Sequence, residues 1–497
     1  MIDWSAVETF LGDVGSVVWG PFLLIPLLLG TGLYLTIRLG GLQILKLGVA
    51  LRLGLLTRSD KGAEGDISQF QALTTALAAT VGTGNIVGVA TAIGIGGPGA
   101  LFWMWVTGLL GMASKYSEAF LGVRYRGTDA AGEKSGGPQY YLERGIRGPF
   151  GKILGLSFAI FATLACFGIG NMTQGNSIAS NLESSFSIPL WITGAILTAM
   201  TLVVLVGGIK SIGRVTAAFV PFMIVFYVAG ALFILIANIE AVPAAFAQIL
   251  TDAFTGTSAV GGFAGSTIML AVQYGVARGI FSNESGMGSA AIAAAAAQTT
   301  HPVRQGLVSM TQTFIDTIIV VSCTGLVIVT TGVWNHTDPE TGEQISPAVM
   351  TGEAFTTGLP GEWGHWIVTL GLVMFAFSTI LGWAYYGERN VERLFGRRAV
   401  TPFRVLFSLV VFVGCTVQLG VVWNFSDVMN GLMALPNLIG LLLLSGLIVR
   451  ETRHYLKHDP RLEASRQEIE AFMKDQPGWD QWKSGDVVGS SHHYGVK

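Results

Sequence analysis

Two stretches of this 497-residue chain place glycine and small polar residues inside apolar surroundings. The first reads Ala79-Thr80-Val81-Gly82-Thr83-Gly84-Asn85-Ile86-Val87-Gly88. The second reads Gln273-Tyr274-Gly275-Val276-Ala277-Arg278-Gly279-Ile280-Phe281-Ser282-Asn283-Glu284-Ser285-Gly286. A helix that unwinds at mid-bilayer frees backbone N–H and C=O groups, and each must find a partner or cost several kcal/mol. N–H groups opening a resumed half-helix, here around Gly84 and Asn85, favour a carboxylate. Carbonyls closing the preceding half-helix, around Ala79–Val81, favour Na⁺ or an ammonium group. The chemistry available is therefore ligation of a charged solute, with no bond made or broken. Packing is the competing use of glycine, and it suits Gly88, Gly94 and Gly96 better, because small-xxx-small spacing lets membrane helices touch. Gly82-x-Gly84-x-x-Val87 lacks the last glycine and the βαβ setting of a dinucleotide fingerprint.

Such breaks matter only if the surrounding elements cross a membrane. The chain is 51% hydrophobic and 12% charged, about half the charge of a soluble domain. That excludes a soluble enzyme, a nucleic-acid module and a disulfide scaffold. About 20 apolar residues cross the hydrocarbon once. Apolar runs bounded by charges or turns predict eleven spans, near 17–38, 69–96, 100–123, 152–181, 190–206, 214–237, 263–296, 304–333, 364–387, 402–420 and 426–449. The stretch 40–57 carries Gln43, Lys46 and Arg52 among its leucines, which suits a helix lying on the membrane surface. With the N-terminus outside, the external segments 1–16, 97–99, 182–189, 238–262, 334–363 and 421–425 contain no Lys or Arg. Arg52, Arg58, Lys61, Arg126, Lys134, Arg144, Arg147, Lys210, Arg389, Arg393, Arg397 and Arg398 all fall on the other side. This asymmetry puts the C-terminus in the cytoplasm.

Setting the first span aside leaves ten, and the two interrupted runs open the first and second groups of five. Five is odd, so the second group runs through the membrane in the opposite sense. Interrupted segments at matching positions of inverted halves point to a transport site. The expected organisation is an all-α integral membrane protein: 1–68, N-terminal span and surface helix; 69–237, first inverted repeat; 238–450, second inverted repeat; 451–497, a cytoplasmic tail with a short helix near 460–474 followed by disorder. Cys166, Cys323 and Cys415 lie in apolar runs without ligand spacing and read as buried small hydrophobes. The N-terminus lacks the positive region of a signal peptide, so the first run is expected to be retained as a span.

The run Thr80-Val81-Gly82-Thr83-Gly84-Asn85-Ile86-Val87-Gly88-Val89-Ala90 resembles the signature of the sodium:alanine (amino acid carrier) symporter family. Gly97-Pro98-Gly99-Ala100, Trp103-Met104-Trp105, Lys115-Tyr116-Ser117-Glu118, Gly137-Pro138-Gln139-Tyr140-Tyr141 and Arg278-Gly279-Ile280-Phe281-Ser282-Asn283-Glu284 fit the same family. The resemblance implies Na⁺-coupled import of small neutral amino acids, alanine or glycine. It also implies the five-plus-five inverted-repeat fold of leucine-type transporters, with core helices 1 and 6 broken, in the inner (plasma) membrane of a prokaryote. On that footing the substrate carboxylate is expected at Thr83, Gly84 and Asn85, with Gln174 as a hydrogen-bonder. Carbonyls of the second break, expected around Tyr274–Gly279, are placed at the ammonium, and Phe281 and Trp383 limit side-chain size. Na⁺ is expected between the carbonyls of Ala79 and Val81 and the hydroxyls of Ser378 and Thr379. No cofactor and no nucleic acid are expected, and the partners are the amino acid, Na⁺ and lipid. Lys115 and Glu118 lie toward the cytoplasmic end of the third span and are expected to pair at the surface, and Arg278 is expected to pair with Glu284 or Asp316 to hold a gate. Glutamine as substrate and H⁺ as driver remain the alternatives within this fold, and a channel is a more distant one. No triad or metal-ligand cluster supports an enzyme.

Overall fold

The computed structural model describes residues 4–20, 22–58, 60, 63–255, 264–337, 345–361, 363–417, 420–476 and 479. The described chain is almost wholly helical. It opens with α1 (Trp4–Val18), α2 (Leu24–Arg38), α3 (Leu42–Leu45) and α4 (Leu47–Leu51), the last running on as a wider turn over Arg52–Thr57. Then come α5 (Gln69–Thr80), α6 (Val87–Gly96), α7 (Gly99–Arg124), α8 (Pro138–Gly145), α9 (Pro149–Phe167), α10 (Thr173–Phe186), α11 (Leu190–Val206) and α12 (Gly208–Ala237). The second half holds α13 (Val242–Thr255), α14 (Ala264–Asn283), α15 (Ala290–Ala295), α16 (Pro302–Thr313), α17 (Ser322–Thr331), α18 (Pro347–Gly358), α19 (Trp363–Phe395), α20 (Val400–Thr416), α21 (Gly420–His458) and α22 (Arg466–Met473). A two-stranded hairpin, β1 (Gly127–Thr128) with β2 (Lys134–Ser135), joins α7 to α8.

Among the described residues, six stretches are long and apolar enough to cross a membrane: Pro149–Phe186, Gly208–Ala237, Pro302–Thr331, Trp363–Phe395, Arg397–Thr416 and Gly420–His458. The bent pair Gln69–Thr80 and Thr83–Gly96 would make a seventh. Apolar side chains such as Phe222, Phe233, Leu409 and Leu443 remain exposed on the outside of these helices, where a lipid solvent would cover them. Polar residues are instead drawn inward. Gln69, Thr75, Asn85, Asn171 and Asn437 are buried and hydrogen-bonded, because in lipid a polar side chain finds its partners only inside the bundle.

Several expectations need correction. The first apolar run, 17–38, is helical over α2, and the segment 1–16, read as external, holds most of a further helix, α1, which packs on α21. Segments 238–262 and 334–363, read as external loops, contain α13 and α18. The last span continues to His458, beyond the expected 449. The tail helix falls where expected, with Ile469 and Met473 buried. The disorder expected after it concerns residues that, apart from Asp475, Gln476 and Trp479, lie outside the described ones. The three cysteines are buried and unpaired with one another.

The end of the bundle rich in basic residues is tied together by ion pairs. Arg389 Nη1 lies 2.8 Å from Asp129 and its Nη2 2.5 Å from Glu133, which docks the hairpin on α19. Arg304, at the start of α16, pairs with Asp60 at 3.0 Å and Asp459 at 3.1 Å. Asp459 also accepts hydrogen bonds from Tyr455 Oη and the amides of Glu463 and Ala464. Burial pushes the Asp459 carboxyl up, but these donors together outweigh burial and hold it below its ordinary value. A carboxyl lowered by folding stabilises the folded form above its unfolded pKa, and that stabilisation is lost as pH falls through the lowered value. Hydrogen exchange of the amides of 459–473, corrected for intrinsic rates, is therefore expected to stay slow at neutral pH and to accelerate on acidification below the usual carboxylate range. Asp459→Asn is expected to show the faster exchange already at pH 7.

Candidate functional site

The first break lies between α5 and α6, whose axes are bent by 63°. Ser68 and Gln71 cap α5 at its start. At its end Val81 and Gly82 turn extended, and Thr83–Asn85 form a single tight turn before α6. The freed groups are satisfied locally. Gly82 N–H donates to Asn85 Oδ1 at 2.9 Å, and Thr83 N–H donates to Gln174 Oε1 at 3.2 Å. Thr83, Asn85 and Gln174 are buried, and Thr83 Oγ1 makes no hydrogen bond to the protein. Glycine is required at 82, because a Cβ there would collide with Thr379 Oγ1 and stand 3.2 Å from Gln174 Oε1. A Cβ on Gly84 would lie 3.1 Å from both Phe281 Cδ1 and Ser282 Cα. The two interrupted helices therefore meet at this point.

The second break is not where the sequence suggested. The backbone is helical through Tyr274–Gly279 and leaves the helix at Glu284, resuming at Ala290. Gly275 and Gly279 serve close packing on α7. A Cβ at 275 would come 2.5 Å from Ala100 O, and one at 279 would collide with Thr107 Oγ1. Gly279 therefore lies inside a continuous helix. Glu284, Gly286 and Gly288 adopt positive φ of 55°, 91° and 83°, a region open to glycine and costly for most side chains. Side chains supply the missing partners. Lys115 Nζ donates to Glu284 O at 2.9 Å, Asn437 Nδ2 donates to Gly286 O at 2.8 Å, and Gly288 N–H donates to Glu118 Oε1 at 3.0 Å. Lys115 and Glu118, expected near one surface, are fully buried and stitch this break.

Asp316 connects the two breaks. Its carboxylate accepts from Asn85 Nδ2 at 2.7 Å, Ser282 Oγ at 2.9 Å and Thr317 Oγ1 at 2.9 Å. Among the described residues no basic side chain forms an ion pair with it. Sequence reasoning offered Asp316 only as a gate partner for Arg278 and missed its place between the breaks, although a lone carboxylate in an apolar run was a signal. Arg278 pairs with neither expected acid. Its Nη2 lies 3.1 Å from Asp427 Oδ2 on α21, with the guanidinium carbon 5.4 Å from the Phe281 ring centre and 5.9 Å from that of Trp423. Phe281 and Trp423 stack at 5.6 Å.

Ser378 and Thr379 of α19 face the end of α5. Thr379 Oγ1 is 3.4 Å from Val81 O, and Ser378 Oγ is 3.5 Å from Val81 O and 3.3 Å from Ala78 O. Those are long for hydroxyl hydrogen bonds. The shorter contacts, 2.8 Å and 3.1 Å, run back to Phe375 O. Each hydroxyl has one proton. With both directed to Phe375, the hydroxyl lone pairs and the carbonyls of Val81 and Ala78 converge with no hydrogen between them, an arrangement suited to a small hard cation. Ala79 itself packs its backbone and Cβ on Gly382; the carbonyl beside Ser378 is that of Ala78. Trp383 follows one turn along α19, fully buried, with its indole N–H donating to Glu284 Oε1 at 2.7 Å. Thus Val81, Thr83, Gly84, Asn85, Gln174, Phe281, Ser378 and Thr379 gather at the first break. Gly279 and Ala79 are placed in packing contacts beside it.

Residues 4–469 match the family model described as the sodium:alanine symporter family. The chain is 52% identical over 448 residues to the sodium/alanine symporter AgcS of Methanococcus maripaludis, covering 90% of this chain and 97% of that protein. It is 33% identical over 493 residues to a probable sodium/glutamine symporter, GlnT of Bacillus subtilis, covering 98% of each. Among solved structures it resembles MhsT in complex with L-phenylalanine, with a TM-score of 0.55 at 16% identity, over 86% of this chain and 97% of that one.

Proposed function

The chain belongs to the sodium:alanine symporter family, and on that premise we propose that it imports small neutral amino acids, alanine or glycine, driven by Na⁺ entering at the first break. It is a membrane transporter and not an enzyme. The observation that carries the Na⁺ reading is the convergence of Val81 O, Ala78 O, Ser378 Oγ and Thr379 Oγ1, hydroxyl to carbonyl at 3.3–3.5 Å, while the shorter contacts of both hydroxyls run to Phe375 O. The substrate carboxylate is assigned to the N-terminal turn of the resumed half-helix at Thr83–Asn85. Thr83 Oγ1 is available as a donor there, and Gln174 and Asn85 hold the turn in shape.

In this reading eleven spans cross the inner membrane of a prokaryote, with the N-terminus outside and the C-terminus cytoplasmic, as the distribution of Lys and Arg favours. Residues 69–237 and 238–450 form the inverted repeats. Arg278 and Asp427 then lie on the outer side of the site, above the stacked Phe281 and Trp423, and act as an outer gate. The pair is partly exposed, at 18% and 22%, and exposed ion pairs contribute about 0.2–1 kcal/mol. Asp427→Asn is accordingly expected to raise the alanine KM about two- to fivefold without altering the Na⁺ requirement, measured by radiolabelled uptake. Inward movement of one charge at 100 mV contributes about 2.3 kcal/mol, and a tenfold Na⁺ gradient about 1.4 kcal/mol. Together, about 3.7 kcal/mol supports a few-hundredfold accumulation at one-to-one stoichiometry.

Proton coupling is the second reading, favoured by Asp316, a buried carboxylate without a basic partner that touches both interrupted helices. Purified protein in proteoliposomes, given a panel of amino acids under a Na⁺ gradient or a pH gradient, separates the two. Alanine uptake that saturates with substrate and vanishes when Na⁺ is replaced by choline supports the proposal. Equal uptake in choline under an inward proton gradient supports the rival, and glutamine outcompeting alanine would reassign the substrate.

A further inference from the structure

One buried ring beside the proposed site is hydrogen-bonded to a residue outside it. Trp383 lies one turn past Thr379 on α19, and Gly170 lies one turn before Gln174 on the neighbouring helix. A Cβ on Gly170 would collide with Cβ and Cγ of Trp383 and stand 2.8 Å from its Cδ2, so the indole fills the space beside Gly170. Thr379 and Gln174 close on Gly82 at one level. The indole therefore lies one level below them, toward the cytoplasm in the proposed orientation. Its only polar atom donates to Glu284 Oε1 at 2.7 Å, and the ring meets Tyr386 edge-on at 5.7 Å.

Glu284 is itself fixed from three sides. It is the residue that ends α14, three positions after Phe281, with φ of 55°. Its second carboxylate oxygen accepts from Ser289 Oγ at 2.5 Å, and its carbonyl accepts from Lys115 Nζ at 2.9 Å. Trp383, Glu284, Ser289 and Lys115 are all buried. A tryptophan has one N–H, and inside a bundle that N–H is paired or costly. A rotation of the ring would thus forfeit a bond to a group that the second break holds still.

We infer that Glu284 is a positioning residue. By holding the Trp383 indole in place beside the site it sets how large a substrate side chain the site admits. The inference rests on the substrate reading proposed above. An apolar pocket separates ligands differing by one methylene by roughly 10- to 200-fold, so a ring free to turn is expected to forfeit much of that selectivity.

The test is uptake by the full-length protein in proteoliposomes, comparing alanine with 2-aminobutyrate, which is one methylene larger. Glu284→Ala and Trp383→Phe are each expected to lower the ratio of KM for 2-aminobutyrate to KM for alanine by about five- to tenfold. The double variant is expected to go no further. Glu284→Gln, whose amide oxygen can still accept from the indole, is expected to return the ratio to within about twofold of wild type. The inference is overturned if Glu284→Ala slows both substrates alike and leaves the ratio where it was. It is also overturned if the effects of the single variants multiply in the double one. Trp383→Phe reads the same ratio should Glu284→Ala fail to fold. A wild-type protein that takes up alanine with Na⁺ while the ratio never moves sinks only this inference. A wild type without Na⁺-dependent uptake sinks the function reading and this inference with it.

Discussion

Asn85→Ala is expected to raise the alanine KM by at least about 30-fold while leaving the protein monodisperse on size exclusion. Two bonds disappear with the amide. Gly82 N–H loses its acceptor at 2.9 Å, and Asp316 loses its closest donor at 2.7 Å. A buried polar group left unsatisfied costs about 1–3 kcal/mol, and two of them cost about 2–6 kcal/mol, of which even 2 kcal/mol is about 30-fold. The loss falls on binding rather than folding, because the turn at Thr83–Asn85 is one short element among many packed helices. Wild-type affinity in this variant would remove the first break from the substrate site.

Thr379→Val keeps the shape of the side chain and removes one oxygen. It is expected to raise the Na⁺ concentration for half-maximal uptake by about 10- to 100-fold, taking a bond to a charged group as about 1.5–3 kcal/mol. At saturating Na⁺ the alanine KM is expected to stay near wild type. The hydroxyl that is lost stands 3.4 Å from Val81 O, whereas the turn proposed for the substrate begins two residues later at Thr83. An unchanged Na⁺ curve would argue that the oxygens around Val81 bond only to their own helix, as serine and threonine in spans commonly do.

What could be read from the sequence depended on whether the signal was local. The interruption between Thr80 and Val87 sits on Gly82-Thr83-Gly84-Asn85, where glycines flank a polar residue and helical propensity fails without help from elsewhere. In the second helix the same reasoning chose Gly275 and Gly279, and those glycines turn out to admit α7. The actual departure at Glu284–Ser289 had its own local mark, Glu284-Ser285-Gly286 followed by Gly288, but nothing in a single sequence tells a packing glycine from a turning one. Contacts across the fold were beyond reach. Arg278 was given Glu284 or Asp316 as a partner because those acids lie deep within spans, yet the pairing acid, Asp427, is 149 residues away. Lys115 and Glu118 read as surface charges because they lie toward the end of the third span. Their role as partners for the freed backbone groups of another helix becomes visible only once α7 lies beside α14. The hydroxyls of Ser378 and Thr379 were reached through family resemblance, and the carbonyl that meets Ser378 proved to be that of Ala78 as well as Val81.

The central claim is that Na⁺ and amino acid occupy adjoining halves of one interrupted helix, so that each prepares the site for the other. Coupling of this kind is reciprocal as a matter of thermodynamics. The decisive measurement is equilibrium titration of the purified protein with alanine at a series of Na⁺ concentrations, and with Na⁺ at a series of alanine concentrations. The account predicts that Na⁺ tightens alanine binding, that alanine tightens Na⁺ binding by the same factor, and that Thr379→Val weakens the Na⁺ arm. Alanine affinity identical in Na⁺ and in choline would contradict it.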